Sequence, residues 1–227
     1  MTNDFEVIFV GIAELFPLFS TFFSLIYGLK HFFKKGKPLF LQSITMAMAS
    51  HALGSIYHLC QTVTTGPLVD GFTPAYLGRI GFFLFLITAS YGHLDRIVDD
   101  GSRAVRPAKY VALIAPLGVA LLYLPIVTVD WAPVSTMVVY GLVWIVAAFS
   151  VYFNLKHAII PNLDFGFIKA IKPYNICALC LGFSELLCLS AWYYYSTLYL
   201  AITAVLFGVL CICTMITAKK GVEKWAI

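Results

Sequence analysis

The sequence predicts an all-α integral membrane protein of seven transmembrane helices, with its N-terminus outside and its C-terminus in the cytoplasm. Three observations lead there. Of 227 residues, 61% are hydrophobic and only 11% are charged, less than half the roughly 25% of an ordinary soluble domain. Seven apolar stretches are each long enough for a ~30 Å hydrocarbon core at 1.5 Å per residue. Basic residues collect on alternate connections, which sets orientation by the positive-inside rule. The composition excludes a water-soluble globule, a disordered tail and a nucleic-acid binder, and leaves the lipid bilayer as the surrounding partner.

The spans are read at 6–29, 39–63, 75–95, 108–127, 134–155, 171–193 and 197–218, as one membrane domain over 1–227 with no separate soluble domain. Eight prolines (Pro38, Pro67, Pro74, Pro107, Pro125, Pro133, Pro161, Pro173) fall at or near these boundaries, where a missing N–H does least harm. Pro17 and Pro116 lie inside spans and are expected to kink them. No ~10-residue alternating segments of a transmembrane barrel are present. Span 1 lacks a basic leader and a small-residue cleavage site, and reads as a retained helix. Short loops and that retained helix suit a prokaryotic plasma (inner) membrane.

Fourteen of the fifteen Lys and Arg residues lie in connections after spans 1, 3, 5 and 7, whereas loops near 64–74, 128–133 and 194–196 hold none. Trp131 and the Trp192–Tyr195 cluster fit an outer aromatic belt. Lys30-His31 and Lys156-His157 are expected to anchor the cytoplasmic interface, with basic heads directed to lipid headgroups. The mixed-charge segment 93–106, including His93, Asp95, Asp99 and Asp100, is by default a solvated loop. A cytoplasmic partner or an oligomer contact there is the alternative. All six cysteines fall inside spans 2, 6 and 7 and read as small packing residues, not as a disulfide framework.

The two ends of the chain resemble each other. Phe23-Ser24 and Leu29-Lys30-His31 match Phe149-Ser150 and Leu155-Lys156-His157 at an offset of 126. Leu53-Gly54 and Leu59-Cys60 match Leu181-Gly182 and Leu187-Cys188 at 128; Ile87-Thr88-Ala89 and Gly92 match Ile216-Thr217-Ala218 and Gly221 at 129. These matches predict a 3+1+3 parallel repeat: about 6–97, a linker helix at 108–127, and about 134–225. The arrangement resembles the parallel repeats of sugar transporters of the SWEET type. Helix number and orientation are also similar to microbial opsins, although span 7 has no lysine for a retinal Schiff base. A bis-histidine haem lacks paired histidines at matching depths, because His31, His93 and His157 all sit at the cytoplasmic edge. No cofactor is therefore expected.

Ionisable side chains inside a membrane are costly and usually face the bundle interior. Here they are Glu14 in span 1, His51 and His58 in span 2, Arg79 in span 3 and Glu185 in span 6. His51, Gly54, Ser55, His58 and Gln61 share one helix face, as do Asn175, Ala178, Gly182 and Glu185. If the stripes oppose each other, Glu14, His58, Arg79 and Glu185 line the outer part of a cleft, with His51 and Asn175 deeper. Arg79 would neutralise an acid or bind an anionic solute group.

The function expected is a small polytopic carrier, proton-coupled, moving a polar or ionic small solute through that cleft. The alternative is a non-transporting sensor or membrane-complex subunit in which the same polar residues only hydrogen-bond neighbouring helices. A third reading is an intramembrane metal-dependent lipid hydrolase with His58, Glu14 and Glu185 as ligands. The seven-helix adiponectin receptors and alkaline ceramidases carry a His-x-x-x-His pair in the last helix, which span 7 lacks.

Overall fold

A computed structural model describes residues 4–32, 39–65, 72–95, 103, 105–128, 134–160, 166–193 and 197–225. All regular structure among them is helical. The elements are α1 (Asp4–Phe32), α2 (Leu39–Thr65), α3 (Pro74–Ile87) running into a π-helical turn (Thr88–Asp95), α4 (Arg106–Val111), α5 (Ile114–Thr128), α6 (Val134–Ile159), α7 (Gly166–Tyr193) and α8 (Thr197–Trp225). They make seven helical stretches long and apolar enough to cross a membrane, α4 and α5 together forming the fourth. The aromatic belt at Trp131 and at the Trp192–Tyr195 side chains, and most of the 93–106 segment, lie outside the described residues.

Several boundaries differ from those read in the sequence. The α1, α6, α7 and α8 helices extend beyond the apolar stretches because polar residues continue a helix at its ends. Pro173 lies two turns inside α7 rather than at its edge, while Pro125 stays near the boundary, in the last turn of α5. Span 4 breaks at Ala112–Leu113, where Pro116 lacks the N–H that would bond to Ala112. Span 3 changes winding at Thr88, with no proline to announce it.

Around the bundle α1 packs on α2, α2 on α3, α3 on α6, α6 on α7, α7 on α8, and α8 returns to α1. Six helices thus close a ring, and α5 lies outside it against α6 and α7. The burial pattern agrees: 22% of the fourth apolar stretch is enclosed, against 67% of Lys169–Ala191 in α7. The remaining surface of α5 exposes Leu117, Leu121 and Leu124, the all-round apolarity that suits a helix set in lipid.

Positions matched by the internal repeat agree only in part. Ser24 and Ser150 are both buried, as are Ala89 and Ala218, while Phe23 and Phe149 are both exposed. Tyr57 is 45% exposed, however, where its counterpart Glu185 is 2% exposed. Leu53 and Leu181 differ in the same way.

An aromatic layer closes the middle of the ring. Phe82 and Phe207 are fully buried, with ring centroids 6.1 Å apart, and His51 lies 5.3 Å from the first and 4.5 Å from the second. The α2–α3 crossing beside it depends on two glycines. A Cβ on Gly54 would meet the Ala75 carbonyl oxygen at 2.8 Å and the Gly78 Cα at 3.0 Å. Those are backbone atoms and cannot swing aside. Gly54→Ala is therefore expected to cost about 1–3 kcal/mol by overpacking, measured as a lower thermal midpoint in detergent; an unchanged midpoint would mean that the two helices are not in contact there.

Candidate functional site

Five of the six side chains singled out in the sequence line one cavity: Glu14 from α1, His51 and His58 from α2, Arg79 from α3 and Glu185 from α7. Ser55, Cys188, Leu200 and Ala204 complete much of its wall. The period of α2 explains the clustering, since His51, Ser55 and His58 recur at four and three residues and point the same way. The cavity holds about 30 Å³, room for about two waters.

Two acid–imidazole pairs meet there. His58 Nε2 lies 3.3 Å from Glu14 Oε1, and that oxygen also accepts a hydrogen bond of 3.3 Å from the Thr62 hydroxyl. His51 Nε2 lies 3.3 Å from Glu185 Oε2, off the axis of a linear hydrogen bond, so the contact is chiefly electrostatic. Its Nδ1 faces the Ser55 hydroxyl at 3.2 Å. Arg79 Nε approaches Glu185 Oε1 at 2.9 Å, and its guanidinium carbon lies 5.6 Å from the Tyr76 ring centroid. Glu185 is 2% exposed. A carboxylate so enclosed needs a cation beside it, and Arg79 supplies one.

Asn175 stands apart. It is buried at 2% exposure, and its Oδ1 has no hydrogen-bond partner among the described residues, but it does not line the cavity. Ten residues separate it from Glu185, about 15 Å along a helix. Gly54, on the His51 stripe of α2, is occupied with Gly78.

A second charged cluster lies toward the other end of α3, sixteen residues and roughly 24 Å from Arg79. Asp95 ends the π-helical turn, and its Oδ1 lies 2.5 Å from Lys156 Nζ and 2.9 Å from His157 Nε2 on α6. Lys156 is 3% exposed and His157 2%. This overturns the expectation that the pair anchors at the lipid interface: α6 turns both residues into the α3–α6 seam, where the carboxylate compensates their charge. Burial alone would push the Asp95 carboxyl up. Hydrogen bonds from His157 and Lys156 outweigh it and hold the group below the usual carboxylate range. The seam is tied again one turn away, where the Ser90 hydroxyl donates to Asn154 Oδ1 at 3.0 Å. Sequence reasoning missed this cluster, although two basic residues at a span end and an acid at the same predicted level were the available signal.

Among the described residues no three His, Cys, Asp or Glu side chains converge as metal ligands. Glu14–His58 and Glu185–His51 remain separate pairs. All six cysteines are free thiols.

No protein family, curated protein or solved structure matches the chain.

Proposed function

We propose that the protein is a small proton-coupled carrier of the plasma membrane, moving a polar or ionic small solute between two three-helix halves, α1–α3 and α6–α8, with α4–α5 as the linker. Its N-terminus is outside and its C-terminus cytoplasmic, as the distribution of basic residues favours. The observation that carries this reading is the cavity between the halves, on which two acid–imidazole pairs and an arginine converge. Buried ionisable groups in a bilayer interior mark solute and proton pathways. With each imidazole 3.3 Å from a carboxylate, side-chain rotation alone would align either pair for proton transfer. The ring order also supports a duplication: half a turn of it exchanges α1, α2, α3 with α6, α7, α8, and the α1–α8 seam with the α3–α6 seam.

The test is uptake into proteoliposomes driven by an imposed pH gradient. Glu185→Gln should bring gradient-driven uptake to the level of empty vesicles while the protein still elutes as a single folded species. Normal uptake by that variant would remove Glu185 from the pathway.

A second reading draws on the size of the cavity. Room for about two waters also suits a sensor or complex subunit that moves nothing, and absence of flux across a broad solute panel would favour it. The hydrolase reading gains nothing from Glu14, His58 and Glu185, which do not form one ligand set.

A further inference from the structure

The two charged clusters are built alike and in opposite senses. Toward one end, Arg79 and His51 of the first half hold Glu185 of the second. Toward the other, Lys156 and His157 of the second half hold Asp95 of the first. Each is a basic side chain and an imidazole closed on a single internal carboxylate, and each spans a division between the halves. The Phe82 and Phe207 rings pack against His51 of the first cluster.

Building on the carrier reading, we propose that the cargo is a small monovalent oxyanion carried with one proton, and that Arg79–His51 and Lys156–His157 are its two successive binding sites, each occupied in this structure by an internal carboxylate. The chemistry follows from charge. Arginine presents a planar fork suited to a carboxylate-like group. Arg79 keeps its charge, and Lys156 would have to give up a proton to lose its own, so in so enclosed a place an internal carboxylate leaves most readily as another anion arrives. The displaced carboxylate then faces the same desolvation, and it takes up one proton from the solution that delivers the anion as its contact to the cation breaks. The anion replaces one negative charge and the proton neutralises the other, so each cluster keeps its net charge and the cycle moves no charge overall. At the Arg79–His51 site the cavity size agrees: room for about two waters admits a carboxylate or nitrate group, and a bulkier solute would need the halves to part further.

The experiment uses the whole chain in proteoliposomes containing a pH-sensitive dye, with four probes: nitrate and oxamate, which scarcely cross lipid as acids, rubidium as a cation and urea as a neutral solute. Nitrate or oxamate is expected to enter with one proton per anion, at a rate unchanged when a potassium diffusion potential is imposed. A rate that follows the potential overturns the proposal. Entry of rubidium or urea but of neither anion overturns it while leaving the carrier reading standing; entry of none of the four overturns it too and leaves the carrier reading to the broad solute panel. Glu185→Gln should still exchange nitrate across the membrane but bring no proton with it, and Asp95→Asn should behave likewise if the first variant does not fold. Proton entry undiminished in a folded Glu185→Gln or Asp95→Asn protein assigns coupling elsewhere and defeats the scheme.

Discussion

Asp95→Ala should lower the stability of the protein by about 3–5 kcal/mol, the cost of stranding a buried charge whose partner is removed. Lys156 is 3% exposed, and its ammonium cannot reach lipid headgroups without unpacking the α3–α6 seam. The Phe153 ring, whose centroid lies 5.9 Å from that ammonium, is a weak substitute for a carboxylate. The check is the thermal midpoint in detergent together with that of Asp95→Leu/Lys156→Met, which removes both charges and should recover most of the loss. An unchanged midpoint in the single variant would show that Lys156 is not enclosed. The pH dependence has a definite sign. Because the folded protein holds this carboxyl below its ordinary value, the link contributes its full stability above about pH 4, the unfolded value. That contribution fades as pH falls through the folded value. Asp95→Asn should therefore flatten the acid limb of the stability profile and leave the neutral region parallel to wild type.

Arg79→Met is the second large effect, expected near the lower end of the same range, about 3 kcal/mol. It removes the cation 2.9 Å from Glu185, while His51 remains at 3.3 Å as a partial partner. Arg79→Lys keeps the charge, loses the fork, and should cost less. Arg79→Met/Glu185→Leu removes the pair together and should restore stability without restoring uptake. That separation matters, because it divides what the pair contributes to folding from what it contributes to function. If the double variant is no more stable than Arg79→Met alone, the two side chains do not compensate each other.

The spans were legible because membrane thickness fixes a minimum apolar length that no loop of this chain imitates. Their ends were less so: apolarity marks only the hydrophobic length, and α1 and α8 run on beyond it through polar residues. Helical periodicity marks the inward face of α2, and His51, Ser55 and His58 share one cavity on that account. It says nothing of depth, which is why Asn175 shares a face with Glu185 but not its surroundings. Lys156 and His157 were misread for a related reason. A cation at a span end lies equally well against lipid or a neighbour, and the choice is made by how α6 meets α3, over sixty residues away in sequence. The π-helical turn left no mark either, since its residues wind equally well as an α-helix.

That turn has a geometric consequence. An α-helix advances about 100° per residue, whereas π winding spends about one additional residue on the same turn. Over Thr88–Asp95 the chain therefore lags an α-helix by roughly one residue's angle, and that phase aims the Asp95 carboxylate at α6. Arg79, before the turn, is timed by ordinary α winding; Asp95, after it, keeps a different clock. A single residue gained or lost between Thr88 and Leu94 would leave one cluster in register and swing the other round the axis, so the length of this segment is as much a part of the Asp95 cluster as its charges.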